Sequence, residues 1–379
     1  MNVSVVGESL ERVRADAVVV GVYAEEKKLR EPAARVNEAA GGALADVLDA
    51  EKFQGKVGGV THLHVNGKPA ARRVVIVGLG RRADMTAEIV RRAAAAGLRR
   101  ARDLGARAVA IEVLGDRLPA RQRAHAVVEG AILGTYTFDR YKREKSEKQV
   151  DSLQLVEPDG RQRREAAEGA RRGEIFAEAT WFARDLVNAP ANDVNPTHLA
   201  KVAQDIAKAG GVRVEILDAA ACRKLGMGMF LGVAAGSEQP PKFIHLAYVP
   251  SGRRRKKVAV IGKGITFDSG GLDLKSAEGM LRMKDDMSGA AAVLGLMRAL
   301  PALKPAVEVH GLIAATRPWT STAGFSSGRA RMTASTAAAP DMSSFMRSMP
   351  SAVLRSRPPA SKVMPLPMMA IFLRAREGA

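Results

Sequence analysis

Residues 258–300 read VAVIGKGITFDSGGLDLKSAEGMLRMKDDMSGAAAVLGLMRAL. The segment begins as a short apolar strand, continues as a glycine-rich loop and ends as an alanine-rich helix from Ser288 to Leu300. A strand followed by a loop and a helix is the repeating unit of α/β folds, and open α/β sheets bind their ligands at the carboxyl ends of the strands. The segment therefore predicts an α/β domain with a ligand site in its loop.

Four charged side chains of this segment are candidate site residues, namely Lys263, Asp268, Lys275 and Asp286. Two carboxylates and an amine are hard oxygen and nitrogen donors, which suit Mg²⁺, Mn²⁺ or Zn²⁺. Each residue also has an ordinary structural interpretation. Asp286 can stabilise the start of a helix, Asp268 can support a turn, and the lysines can be surface residues. Spacing and composition leave both interpretations open.

The first 150 residues alternate strand and helix patterns. Runs rich in β-branched residues at 15–23 and 72–80 predict buried strands, and a helical pattern follows the second run at about 84–105. Residues 106–115 then return to a strand pattern. Strands and helices that alternate at this spacing predict a mostly parallel sheet covered by helices.

Three regions are expected along the 379 residues, because one hydrophobic core seldom serves a chain of this length. A polar, charged stretch at 141–149 predicts the end of a smaller N-terminal α/β domain at 1–150, followed by a second α/β domain at 151–316. From residue 317 no hydrophobic period persists, and seven of the 18 prolines fall in the remaining stretch. We therefore expect residues 317–379 to form an atypical tail, disordered or non-native.

Composition restricts the class of protein. The single cysteine, Cys222, excludes an internal disulfide and a cysteine-based metal motif, and no apolar run has the length of a membrane span. We expect a cytoplasmic protein without membrane contact. The net charge of +19 invites a nucleic-acid partner, but aromatic residues make up only 4% of the chain, which argues against stacking platforms for single strands.

Two long motifs of the opening segment, KGITFDSGGLDLK at 263–275 and MKDDMSGAA at 283–291, resemble the signature of the leucyl aminopeptidase family (cytosol aminopeptidase, peptidase family M17). RDLVNAPANDVNP at 184–196 and VEVHGLIAAT at 307–316 extend this resemblance. It implies a metal-dependent aminopeptidase that releases N-terminal amino acids from peptides by a two-metal hydrolytic mechanism. It also implies assembly into a homo-oligomer, a hexamer in the family.

The resemblance assigns a role to each candidate residue. Lys263, Asp268 and Asp286 match metal ligands for two divalent ions, Mn²⁺ or Zn²⁺, and a desolvated lysine can serve as such a ligand when it is neutral. Lys275 matches the catalytic lysine, which polarises the scissile carbonyl. Met283 matches a residue that lines the pocket for the first side chain of the substrate.

One part of the family pattern is missing. After its GLIAAT-like strand the family has an Asn-Thr-Asp-Ala-Glu-Gly-Arg segment with two further ligands and an arginine that holds a bicarbonate. Here the only carboxylate side chains after Asp286 belong to Glu308, Asp341 and Glu377, in other contexts. We therefore expect an incomplete metallopeptidase domain with impaired activity, and a change of reading frame near residue 317. The alternative is a non-catalytic binding or assembly protein, with DNA binding driven by charge.

Overall fold

The computed structural model describes residues 1–24, 28–65, 70–252, 256–270 and 274–318, together with the backbone of 371–374. The chain divides into two compact units, Met1–Trp181 and Phe182–Ala379. The elements of the first unit are β1 (Asn2–Val6), β2 (Ala17–Val22), α1 (Ala33–Ala39), α2 (Ala43–Ala50), β3 (Val60–His64), β4 (Arg73–Gly78), α3 (Ala87–Asp103), β5 (Ala108–Glu112), α4 (Ala120–Gly134), β6 (Ser152–Val156) and most of α5 (Gly160–Asn188).

The first unit is built on a six-stranded sheet in the order β1-β6-β5-β2-β4-β3. Every pair is parallel except β3 with β4, which confirms the predicted mostly parallel sheet. Alternate residues of the central strands face two cores, so Val19 and Val75 pack toward α3 and α4, while Val18 and Val74 pack toward α1 and α2. Strands buried on both faces are nearly continuous apolar runs, as these sequences are.

The direction of winding reverses between β2 and β5. From β2 the chain continues to β3 and β4 on one side, and after α3 it crosses to β5 on the other side of β2. In open α/β sheets such a reversal leaves a crevice at the carboxyl ends of the two strands.

The first unit extends past residue 150, where we placed the boundary. Strand β6 lies between β1 and β5, with Leu153 in register with Val3 on one side and Val109 on the other. Leu153 is fully buried. The polar stretch at 141–149 is therefore a surface connection within this unit, and the division falls inside α5, after Trp181.

The second unit contains a five-stranded mixed sheet in the order β11-β9-β10-β8-β7, in which β9 and β10 are parallel and the other pairs are antiparallel. Its elements are α6 (Pro196–Lys208), β7 (Arg213–Leu217), α7 (Ala219–Lys224), α8 (Gly228–Ala234), β8 (Lys242–Tyr248), β9 (Lys257–Ile265), α9 (Ala277–Leu281), α10 (Ser288–Leu303), β10 (Glu308–Thr316) and β11 (Ile371–Arg374). The expected α/β architecture with two domains is confirmed.

The expected tail at 317–379 falls largely outside the described residues. Its described parts are 317–318 and the backbone of β11, which pairs antiparallel with β9. Four residues of the tail thus form a strand, whereas we expected a disordered or non-native tail. Within the described ranges, no helix combines the length and the apolar character that a membrane crossing needs.

Candidate functional site

The opening segment folds so that β9 and the start of α10 touch along their backbones. A Cβ atom on Gly262 would lie 2.4 Å from the carbonyl oxygen of Gly289, and one on Gly289 would lie 2.8 Å from the amide nitrogen of Lys263. Only glycine tolerates an approach this close. The contact brings the residues just before α10 to the end of β9.

Lys263 and Asp286 meet at this contact. The Lys263 Nζ lies 2.6 Å from Asp286 Oδ1, and the two side chains are 54% and 16% exposed. The other oxygen, Asp286 Oδ2, is buried and has no hydrogen-bond partner among the described residues. We expected Lys263 in the loop, but it lies within β9, because this strand continues four residues beyond Ile261. Asp286 lies in a 3₁₀ helix, Met283–Met287, and α10 has no side-chain cap, so capping does not explain it.

Asp268, Lys275 and Met283 form the other half of the cluster. Lys275 Nζ donates to Asp268 Oδ2 at 2.5 Å and lies 3.0 Å from Met283 Sδ. Asp268 Oδ1 accepts the amide of Gly270, whose φ of 99° belongs to the left-handed region that favours glycine. The hydrogen bond from Lys275 lowers the pKa of Asp268, so this carboxylate is ionised at neutral pH.

The Lys263–Asp286 pair and the Lys275–Asp268 pair interact electrostatically. The positive charge of Lys263 contributes to lowering the pKa of Asp268, which places its ammonium group within electrostatic reach of both aspartates. The structure therefore brings together all five residues that the sequence singled out. Two lysines and two aspartates balance in charge, and each aspartate bonds a different lysine.

Two further cations hold the loop that follows α5. Lys284 Nζ donates to the carbonyl oxygen of Asn188 at 2.7 Å, and Arg317 Nη2 lies 3.3 Å from Asn192 Oδ1. Lys284 belongs to the same 3₁₀ helix as Asp286, so its bond ties this helix to the 188–192 loop. Both segments lie within motifs quoted from the sequence, yet neither motif pointed to a role for Lys284 or Arg317. Their targets are mostly backbone oxygens, which leave no trace in side-chain identity.

The side chains of this cluster supply some, but not all, of the donor atoms that a metal ion needs. The orphaned, buried Asp286 Oδ2 is an acceptor in need of a partner, and Asp268 and Lys263 add an oxygen and a nitrogen donor within the same cluster. However, no group of three or more histidine, cysteine, aspartate or glutamate side chains that could hold a metal occurs in the described part of the chain. The donors present are a partial set, and Lys263 occupies one of the Asp286 oxygens.

Comparisons with known proteins give one consistent family. The catalytic-domain model of the cytosol aminopeptidase family matches residues 181–332, and its N-terminal-domain model matches residues 19–145. A probable cytosol aminopeptidase of Sulfurihydrogenibium sp. (strain YO3AOP1) is 38% identical over 316 residues, which are 83% of this chain and 62% of the relative. A probable cytosol aminopeptidase of Aquifex aeolicus (strain VF5) is 39% identical over 317 residues, with the same coverage of 83% and 62%.

Two solved structures are similar over both units. A mutant of tomato leucine aminopeptidase superposes with a TM-score of 0.74 at 31% identity, covering 85% of this chain and 64% of the other. The bottromycin maturation enzyme BotP in complex with Mn gives a TM-score of 0.66 at 32% identity, covering 80% and 60%. This chain thus spans less than two thirds of the length of the proteins it resembles.

Proposed function

The chain belongs to the cytosol aminopeptidase family, and from this membership we propose that it carries one half of a metal-dependent aminopeptidase centre. The observation that supports the proposal is the arrangement of Lys263, Asp268, Lys275 and Asp286 in two ion pairs, one of which leaves a buried Asp286 oxygen without a partner. A buried acceptor that no protein group satisfies can be satisfied by a water, an ion or a ligand, and the carboxylate charge of Asp286 favours a cation.

In this proposal Lys263, Asp268 and Asp286 would hold divalent ions, two of them Mn²⁺ or Zn²⁺ in a complete centre. A bound divalent ion polarises a peptide carbonyl and lowers the pKa of water toward neutrality. The carboxylates would have to leave their lysine partners to bind an ion, and Lys263 would have to lose its proton before its nitrogen could act as a donor.

Lys275 is the catalytic residue of the proposal. Its ammonium group is held by Asp268, and it can donate to a scissile carbonyl oxygen that becomes negative during hydrolysis. Met283 lies against the same ammonium group and would line the pocket for the first side chain of a peptide substrate.

The remaining half of the centre has no counterpart in this sequence. The sequence contains no copy of the family's ligand-bearing segment Asn-Thr-Asp-Ala-Glu-Gly-Arg. The arginine that would hold bicarbonate belongs to this segment and is therefore missing as well. A full set of protein ligands can supply roughly 10–16 kcal/mol of metal binding, so the loss of several ligands weakens binding severely. We propose that the chain as printed binds metal weakly and turns over peptides slowly.

The proposal is tested on the purified full chain with leucine p-nitroanilide as substrate. We expect slow hydrolysis that requires added Mn²⁺, stops with a chelator and is lost in Lys275→Met. Lys201→Met, which removes an exposed lysine of α6, is the matched control and should keep the wild-type rate. Fast turnover would contradict the impairment, and hydrolysis that is insensitive to both the chelator and Lys275→Met would contradict the metal centre.

Peptide substrates, a hexameric assembly, a cytoplasmic location and the use of zinc are parts of the same proposal. The alternative is a non-catalytic binding or assembly protein, and the net charge of +19 favours charge-driven DNA binding within that alternative. Metal content separates the two. After equilibrium dialysis of the chain against added Mn²⁺ or Zn²⁺, elemental analysis should find bound metal if the centre is functional, and none if the site has lost its metal role.

A further inference from the structure

A second site lies in the first unit, at the reversal of winding between β2 and β5. A cavity of about 180 Å³ opens there at the carboxyl ends of β2, β5 and β6. Its walls combine apolar side chains, among them Leu10, Leu79, Val113 and Val156, with seven charged residues. The charged residues are Arg30, Glu31, Arg35, Glu112, Asp116, Arg123 and Glu157.

Most of the carboxylates around this cavity have a cation beside them. Asp116 bonds Arg82 at 2.6 Å and also accepts the Tyr23 hydroxyl at 2.7 Å. Glu31 and Arg35 lie 2.9 Å apart, and Glu157 lies 3.7 Å from Arg123. These pairs neutralise one another, so they leave no strong preference for an ion of either sign.

Glu112 is the exception. Its Oε1 accepts the amide of Gly21 at 2.6 Å, but its carboxylate forms no ion pair with any cation of the described residues. Arg123 acts on Glu112 only at a distance, because its two terminal nitrogens contact Glu157, the Val113 carbonyl and the Gln162 side chain, while its Nε has no hydrogen-bond partner among the described residues. Burial raises the pKa of Glu112 to about 8, so at neutral pH the unpaired group keeps its proton.

We propose that this cavity binds a small organic cation, a primary ammonium or guanidinium group, which pairs with the Glu112 carboxylate. The lining holds three arginines and, besides Glu112, three carboxylates, and Arg82 adds a fourth cation beside Asp116. A ligand cation that replaces the Glu112 proton leaves this balance unchanged, and the apolar walls can hold an alkyl chain. An anion would lie beside Asp116 and Glu157, and it could gain the Nε–H donors of Arg35 and Arg123, which have no hydrogen-bond partner among the described residues, so phosphate is the competing ligand.

The binding step is an exchange of one proton for one ligand. The neutral Glu112 carboxyl releases its proton to solvent. The incoming ammonium group keeps all of its protons and donates an N–H hydrogen bond to the resulting carboxylate. No covalent bond of the ligand changes. This role is independent of the aminopeptidase centre, since all residues that carry it lie in the first unit.

The test uses n-butylammonium chloride and the full chain, followed by calorimetry at pH 7 in two buffers of different ionisation enthalpy. We expect binding of one ligand with release of nearly one proton. Glu112→Gln should weaken binding at least tenfold, and tetramethylammonium, which has no N–H donor, should bind several-fold less tightly. Glu165→Gln, which changes a carboxylate that does not line the cavity, is the control and should bind as the wild type does.

Two outcomes would overturn the proposal: no heat of binding at millimolar butylammonium, or binding of inorganic phosphate in its place. If Glu112→Gln does not fold, carbon NMR of wild-type protein labelled at the glutamate carboxyls replaces it. The Glu112 signal should then move to the ionised position on addition of butylammonium at pH 7. A signal that stays at the protonated position would refute the pairing.

Discussion

At the scale of single residues, Asp286 has one oxygen held by Lys263 and another that is buried without a partner. If the partnerless oxygen binds a divalent ion, Asp286→Asn removes the charge that attracts the ion and presents an amide in its place. We predict that this change lowers the affinity for Mn²⁺ at least tenfold, which is about 1.4 kcal/mol. Calorimetric titration of the full chain with Mn²⁺ measures the affinity.

The neighbouring aspartate offers a matched control. Asp285 is 39% exposed and lies 3.8 Å from Arg282, an exposed pair that contributes little. Asp285→Asn changes the chain charge by the same amount, one residue away, and should leave the Mn²⁺ affinity within about twofold. Equal losses of Mn²⁺ affinity in the two variants would mean that the affinity depends on the net charge of the region and that the ion does not contact Asp286.

Glu112 makes a second residue-scale prediction, on stability against pH. Its pKa is about 8 in the folded chain and near 4.5 when unfolded, so between these values the folded state binds more protons. The contribution of Glu112 to the free energy of unfolding is therefore fully present below pH 4.5. It decreases by about 1.4 kcal/mol per pH unit as the pH rises toward 8. Glu112→Gln should remove this slope.

Urea unfolding at pH 5.5 and pH 7.5 measures the slope. The wild type should lose more unfolding free energy between the two conditions than Glu112→Gln does, because glutamine has no proton to release. Other groups titrate in both proteins and cancel in the comparison. Identical losses in the two proteins would show that the Glu112 carboxyl is ionised throughout this range.

At the scale of elements, the contact between β9 and α10 positions the candidate centre. Gly262→Ala would place a methyl carbon 2.4 Å from the Gly289 carbonyl oxygen, and neither atom can rotate away, because the backbone sets the position of both. We predict a loss of about 1–3 kcal/mol in unfolding free energy, as for other overpacked sites, together with a longer Lys263–Asp286 distance. Denaturant unfolding measures the first effect.

Gly232 is the control for this substitution. It lies in α8, and an added Cβ meets no atom within 4 Å. Gly232→Ala should be neutral or stabilise the chain by up to about 1 kcal/mol, because alanine is the better helix former. If Gly262→Ala were equally harmless, β9 and α10 could separate freely, and the ion pair across them would not be held by packing.

At the scale of the whole molecule, the chain changes character near the end of β10. Residues from 317 onward hold eight arginines and one lysine against two acids, and no hydrophobic period persists there. The match to the catalytic domain of the family ends at residue 332. We predict that the coding DNA past this region encodes Asn-Thr-Asp-Ala-Glu-Gly-Arg in one of its other two frames.

Sequencing and translation of that DNA decide the question. If neither alternative frame contains the segment, the composition of residues 317–379 is native to this protein, and the incomplete centre is a property of the evolved chain. If one frame contains it, restoring that frame should raise the Mn²⁺-dependent hydrolysis of leucine p-nitroanilide well above that of the printed chain.

Much of the fold could be predicted from local patterns. The helix expected at about 84–105 is α3, Ala87–Asp103, and the strand expected at 106–115 is β5, Ala108–Glu112. The errors occurred where the deciding contact is remote. The boundary at 150 failed to anticipate β6, because a polar surface stretch looks like a linker until its following strand is seen to pair with β1 and β5.

The lysines and aspartates of 258–300, and the lack of the second ligand segment, can be read from the sequence alone. The partners of these side chains depend on the tertiary fold. Asp286 reaches Lys263 because two glycines let β9 and α10 touch, and Glu112 is unusual because no cation of the described residues forms an ion pair with it. Pairing and desolvation depend on what surrounds a group, and those surroundings come from segments far apart in the chain.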